Sequence, residues 1–190
     1  MRSEALNYET LSKVSSFVSS SHDLDDTVAH IVHSLRELLE LKGCALMLLN
    51  RKTSELEVAA SAGLSQEYLE KGPVSALKSI AESITDGPVA IYDVTDDPRL
   101  QYPEEAVWEG LKSILSVPLV LRNRPVGVLR LYTAEPWEFT ERDLIFTQAV
   151  AEIIALVIDN LRMYRGLKSS IETLKLLRPQ PKPAKRTLYE

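Results

Sequence analysis

Ile114-Leu115-Ser116-Val117-Pro118-Leu119-Val120-Leu121, then Arg122-Asn123-Arg124-Pro125, then Val126-Gly127-Val128-Leu129-Arg130-Leu131-Tyr132, is the stretch that decides the fold. Two apolar, β-branched runs flank a polar turn, the pattern of a β-hairpin whose strands are covered on both faces. Pro118 lacks a ladder donor, which predicts a bulge or an unpaired stretch within the first strand. Gly127 between apolar neighbours reads as close strand packing.

The same pattern occurs upstream. Cys44–Leu49 is nearly continuous apolar sequence, Asn50-Arg51-Lys52-Thr53-Ser54 is a polar turn, and Leu56–Ala62 resumes as a strand that Gly63 stops. Val89–Val94 is a further strand after the breaker Asp86-Gly87-Pro88. Between them, 65–71 and 75–85 read as short helices, the second with Leu77, Ile80, Ala81 and Ile84 on one side. Residues 95–103 are polar and irregular, and 104–110 make one or two helical turns. Hairpin connections predict a mainly antiparallel sheet, with helices covering both faces.

Helices bound the sheet in sequence. Leu24, Val28, Ile31, Val32, Leu35, Leu38 and Leu39 recur at steps of three and four and form one apolar face. Asp23 suits the cap, Asp25 and Asp26 suit the positive helix start, and Gly43 suits the end. A looser stripe, Leu6, Leu11, Val14, Phe17 and Val18, precedes it. From Glu141 to about Leu177 only Gly166 interrupts a helical pattern. That long segment carries two apolar stripes. Ala151, Ile154, Ile158 and Leu161 suit a sheet. Val150, Ile153, Val157, Asn160, Tyr164, Leu167, Ile171 and Leu174 recur at alternating threes and fours, which suits a neighbouring helix. Either the first helix of the same chain covers this second stripe, or two chains form a symmetric helical bundle. Residues such as Leu167 and Leu174, beyond the expected sheet, favour the homodimer, with Asn160 setting register.

The domain plan is an N-terminal bundle helix over 1–22, a sheet domain over 23–163, a helical extension over 164–178 and a Pro-rich tail over 179–190. From Arg178 onward the sequence has four basic residues against one acidic. The chain as a whole carries a net charge of −5 over 190 residues, which gives it no general attraction for nucleic acid or an acidic membrane. One cysteine, Cys44, excludes an internal disulfide. No signal peptide is recognisable, and no unbroken apolar run reaches the roughly 20 residues of a membrane span. A cytoplasmic location is expected.

Taken in order, these segments resemble the GAF family, the small-ligand sensory domains of signalling proteins. The resemblance is carried by the helices up to Leu41, by Gly43–Leu49, by Val89–Val94 with Asp97-Pro98-Arg99, by Leu111–Leu119, by Val126–Tyr132 and by Phe139-Thr140-Glu141-Arg142-Asp143. It covers roughly residues 10–165. It implies an α/β fold of the α+β type: a central antiparallel sheet with two or three helices on one face, and short helices and loops enclosing a ligand pocket on the other. It also implies a non-catalytic regulatory module that binds a small molecule and signals through a dimeric bundle to a downstream protein or domain. Dimerisation without a ligand is the alternative, and cyclic-nucleotide binding a further one. For the latter, Phe139 and Asp143 match the family's pattern, but Thr133-Ala134 stand in place of Asn-Lys and Leu144 in place of Glu. Thr140 with Asp143 equally reads as a capping box with Phe139 as a staple.

The ligand itself is unknown. The single Cys44, at a strand start, does not suit bilin attachment, and the family's methionine-sulfoxide reductases need at least two cysteines. His22, His30 and His33 lie in or before the helix on the side away from the expected pocket, so neither haem nor a metal is expected. The candidate pocket residues are Tyr92, Asp93, Asp97, Arg99, Tyr102 and Trp108, where aromatic groups sit beside a few charges, with Ser113 and Ser116 on the strand beneath. Turn chemistry accounts for Asp96-Asp97-Pro98 equally well, and Asp93 can pair with Arg99 across the loop.

Overall fold

Alternation along the strands sorts their side chains onto two faces. In the computed structural model, residues 24–75 and 87–177 are described. The helix expected over 1–22, the cap Asp23, most of the helix expected over 75–85, His22 and the tail from 178 onward lie outside them. Helix α1 is Leu24–Leu38, followed by β1 (Gly43–Asn50), β2 (Glu55–Ala62), α2 (Gln66–Leu69), β3 (Val74–Ser75), β4 (Val89–Ile91), α3 (Pro103–Trp108), β5 (Ser113–Leu121), β6 (Arg124–Thr133) and α4 (Glu141–Leu177). The six strands form one sheet in the order β3-β2-β1-β6-β5-β4, antiparallel throughout.

One face carries Cys44, Leu46, Leu115, Val117, Leu119, Leu129 and Leu131, buried against α1 and the first half of α4. From α1 come Leu24, Val28, Ile31, Val32, Leu35 and, just past its end, Leu39, as the stripe predicts; Leu38 is only half-buried. From α4 come Val150, Ala151, Ile154, Ala155 and Ile158. The opposite face carries Ala45, Met47, Ile114, Val128 and Tyr132, covered by Tyr68, Ala106, Leu111 and Val94 from short helices and loops.

Several local expectations shift. Helix α1 ends at Leu38, and the left-handed residue behind it is Glu40, at φ 49°, rather than Gly43, which opens β1. The β5–β6 hairpin closes on two residues only, Arg122 and Asn123, with φ of 50° and 59°, the turn whose twist matches antiparallel strands. Pro118 pairs in register with Val128; the irregularity falls one residue later, between Leu119 and Val120. It is tolerated because the ladder with β4 stops at Ser116, leaving the outer edge of β5 open there. Strand β4 is three residues long, ending at Ile91 rather than Val94. A Cβ on Gly127 would stand 2.2 Å from the Met47 carbonyl oxygen, so the two backbones approach too closely for any side chain.

Thr140 and Asp143 form the capping box. The Thr140 N–H donates to Asp143 Oδ2 at 2.8 Å, and the Asp143 N–H donates to Thr140 Oγ1 at 3.3 Å. From that start α4 runs through Gly166 without a break. A window of 18 residues in Glu141–Leu176 reaches a mean hydropathy of 1.7, so this helix is long and apolar enough by composition to cross a membrane. Its apolarity has another account here: the segment packs on the sheet with one side.

The two stripes of α4 divide differently from the expectation. Val150 and Val157 are buried within the chain, and Ile153 is half-buried. The outward apolar positions are Ile145 and Leu156, then Met163, Tyr164, Leu167, Ile171 and Leu174. Asn160 is exposed between them. From Arg162 to Leu176 every side chain is exposed; Arg165 pairs with Asp25 at the start of α1 at 3.0 Å, and past it the helix projects beyond the described body of the domain.

Candidate functional site

The sheet face away from α1 and α4 has thinner cover, because α2 is a single turn and α3 is less than two. Ser65 caps α2, its hydroxyl accepting from the Tyr68 N–H at 3.1 Å. The same Ser65 is bound by α3: its N–H donates to Glu109 Oε1 at 2.9 Å, and its hydroxyl donates to Glu109 Oε2. Gly110, at φ 76°, turns the chain out of α3 so that Leu111 enters the core. Tyr102 donates its hydroxyl to the Pro73 carbonyl at 2.8 Å, tying the loop before α3 to the loop after α2.

This scaffold turns Tyr68 inward. Its ring meets Tyr132 edge to face, with centroids 5.9 Å apart and planes at 89°. On the outer side, Lys71 Nζ lies 3.7 Å from the Tyr68 ring centroid and donates to the Tyr68 carbonyl at 2.8 Å. Burial, with the charge of Arg130, lowers the Lys71 pKa to about 8, against the opposing pull of Glu105 and Glu109.

Beneath Tyr68, Arg130 is 8% exposed in the middle of β6. Alternation places it on the same face as Val128 and Tyr132, opposite Ser116 of β5 and Ala45 of β1. Burial pushes the Tyr132 and Tyr68 phenols upward, and the positive field of Arg130 partly opposes this at both. The two hydroxyls are buried and have no partner at hydrogen-bonding geometry, even though Arg130 and Tyr68 come near enough to Tyr132 to favour its ionised form. A cleft of about 630 Å³ opens outside Tyr68, between α2 and α3, lined also by Ser65, Lys71, Trp108 and the four carboxylates Glu67, Glu70, Glu105 and Glu109. Its size is that of a small-molecule site.

The residues expected at the pocket fall into separate places. Tyr92, Asp93, Asp97 and Arg99 line a shallow depression of about 370 Å³, away from Arg130. Asp93 accepts from the N–H and hydroxyl of Thr95, at 2.9 and 2.6 Å, which holds its carboxyl below the usual range. Arg99 pairs with Asp97 rather than with Asp93, and also donates to the Ala90 carbonyl at 2.8 Å. That pairing lowers the Asp97 pKa. Tyr102 braces the α2–α3 cover, and Trp108, 76% exposed, stands at the rim of the larger cleft. Ser113 is fully buried as a rivet, donating to the Tyr92 carbonyl at 2.7 Å and accepting from the Trp137 N–H at 3.0 Å. Ser116 is buried beside Arg130. His30 and His33 are on the exposed side of α1, and among the described residues no group of three His, Cys, Asp or Glu side chains could hold a metal ion. Cys44 is fully buried, and burial drives its thiol pKa up.

Tyr68, Lys71, Glu109, Arg130 and Tyr132 were not singled out by sequence reasoning. One signal for them exists. Arg130 is the lone charge inside the apolar run Val126–Tyr132, and period-two alternation puts it on one face with Tyr132.

Comparison with known proteins agrees with this architecture. A family model described as the GAF domain matches residues 21–159. The GAF domain of a phosphoenolpyruvate-protein phosphotransferase from Coxiella burnetii superposes with a TM-score of 0.75 at 18% identity, over 87% of this chain and 99% of that one. A free methionine-R-sulfoxide reductase from Neisseria meningitidis, in complex with its substrate, gives 0.69 at 20% identity, over 82% and 89%. Among curated proteins, the Nif-specific regulatory protein of Herbaspirillum seropedicae is 24% identical over 92% of this chain and 33% of its own length. The formate hydrogenlyase transcriptional activator of Salmonella typhimurium is 20% identical over 88% and 25%. The chain thus spans a third or less of these regulators. With the matched model covering most of its length and the sheet and helices arranged in the same fold, the chain belongs to the GAF domain family.

Proposed function

We propose that this domain is the sensory part of a regulator. It binds a small molecule on the sheet face beneath α2 and α3 and passes the event to an output through α4, packed against a second copy of the chain. The observation that carries the reading is the cleft outside Tyr68, backed by buried polar side chains on the same strands that hold α4 on their other face. Strand β5 links the two: Ile114 and Ser116 face the ligand side, while Leu115, Val117 and Leu119 pack against the long helices. A ligand that shifts β5 or β6 relative to the short helices alters the seat of α4, provided it binds the two arrangements with different affinity.

The projecting, apolar end of α4 supports the homodimer. Tyr164, Leu167, Ile171 and Leu174 are exposed at heptad steps, and a two-stranded seam would cover them. The regulators that the chain resembles suggest that the output is control of transcription. A non-catalytic role is supported by Cys44, whose buried, proton-retaining thiol is a poor nucleophile. Asp143 is engaged in the cap of α4, which weakens the case for cyclic nucleotide.

Native mass spectrometry of the protein as purified tests this reading. A dimer carrying an extra noncovalent mass supports it and starts to identify the ligand. A dimer of bare polypeptide mass that no small molecule alters favours the scaffold alternative, and a monomer overturns the α4 seam.

A further inference from the structure

Resting on that reading of the cleft, we infer that its ligand is an organic ammonium ion, seated against the rings of Tyr68 and Trp108 and held by the carboxylates of Glu67 and Glu105. Two observations independent of those carboxylates point to a cation. The first is a cation already seated there: the Lys71 ammonium lies 3.7 Å from the Tyr68 ring centroid and 5.9 Å from that of Tyr102. The cleft side of Tyr68 is thus a cation–π platform in the folded domain, occupied by a tethered side chain. The second is Trp108, 76% exposed where it lines the same cleft. An indole is the best aromatic partner for a cation, and one left in water forfeits the burial that its size would bring.

Charge sets the sign of the ligand. Among the described residues lining the cleft, Lys71 is the one basic side chain against four carboxylates. Two of the four are engaged locally: Glu109 holds Ser65, and Glu70 accepts from Gln66. Glu67 on α2 and Glu105 on α3 remain, one on each wall. An anion entering here is repelled and a cation attracted. A bare metal ion needs several converging oxygen ligands, and among the described residues no group of three His, Cys, Asp or Glu side chains could hold one. A cleft of about 630 Å³ with aromatic walls suits instead a charge carried on an organic body. Lys71 is then the ligand's competitor. An arriving ammonium takes the Tyr68 ring only when the Lys71 amine swings aside or gives up its proton, and burial with the charge of Arg130 already lowers its pKa to about 8.

The test follows tryptophan fluorescence of the full chain at constant ionic strength while tetramethylammonium and choline are titrated in turn. The neutral isostere 3,3-dimethylbutan-1-ol, acetate and magnesium are the comparison series. Trp137 is buried, and Trp108→Phe isolates its share of the signal. A saturable change with at least one of the two ammonium ions is expected, with the neutral alcohol about tenfold weaker or worse and no saturable response to acetate or magnesium. Glu105→Gln keeps the size of the side chain and removes one charge, and is expected to weaken the ammonium ion about fivefold. Lys71→Met clears the Tyr68 ring and removes the competing charge, and is expected to tighten it by about the same factor. Opposite signs from two variants in one cleft are not what a loss of folding produces. No saturable response to either ammonium ion, equal binding of the neutral alcohol, or Lys71→Met leaving the affinity unchanged or weaker overturns the inference. A saturable response to acetate or magnesium alone overturns it while keeping the sensory reading. A protein that responds to no series and carries no extra mass as purified loses both.

Discussion

Glu109, the residue that closes α3, holds Ser65, the residue that opens α2. Its carboxylate accepts from both the backbone N–H and the hydroxyl of a residue 44 positions earlier. Ser65 in turn caps the turn that carries Tyr68. One carboxylate therefore joins two helices too short to be stable alone and fixes the wall of the cleft.

Cutting that contact should loosen α2 specifically. Glu109→Ala is expected to cost about 1 kcal/mol or less, since the pair is partly exposed. It should also raise hydrogen exchange at Tyr68 and its neighbours while the amides of β1 and β6 keep their protection. Uniform loss of protection across the sheet would show that the latch is not local.

The two sides of α4 should answer differently to the same chemical change. Leu167→Asp, on the projecting part, is expected to give a folded monomer by light scattering. Val157→Asp, buried in the chain, is expected to unfold the domain, because it places an unpaired carboxylate in the core. A Leu167→Asp protein that stays dimeric removes this stripe from the interface.

Lys71 gives a pH signature. Its pKa is about 8 in the folded domain against 10.5 as the ordinary value, so between those values the unfolded chain binds the extra proton. Folding stability due to this residue therefore rises as the pH goes from 8 towards 10, and Lys71→Met abolishes that increment. Urea titrations of both proteins across that window measure it. An identical pH slope in the two would mean that the amine is solvated.

Asp143→Ala breaks the capping box without touching the cleft. The expected cost is about 1 kcal/mol in the same urea titration, with affinity for any cleft ligand unchanged. A loss of ligand affinity greater than the loss of stability would give Asp143 a role in binding after all.

Wherever period and composition suffice, the chain announces its structure. The apolar stripe of α1, the two hairpins, the Thr140–Asp143 box and the length of α4 follow from spacing alone, since they are set by neighbours within a few residues. Gly127 was legible for the same reason: an apolar strand with a missing side chain signals a close backbone, here that of Met47. The ligand side was not legible. Aromatic and charged residues crowd the 92–108 loop, yet Asp93 and Asp97 turn out to satisfy Thr95 and Arg99 locally, as turn residues do.

What the sequence by itself determined is thus the main helices and hairpins, though not the two-residue strand β3, their mainly antiparallel pairing and the family, because hydrophobic period and turn chemistry are local quantities. The tertiary structure alone decided which faces meet. Arg130 joins Tyr68 from 62 positions earlier only because the sheet order sets β6 beside β1 and folds α2 over both. Likewise, Val150 and Val157 share a heptad with Leu167 and Ile171, yet the sheet ends near Ile158. The first pair is buried inside the chain and the second is left facing outward, because a helix stripe has no fixed partner until the body it lies on has a fixed extent.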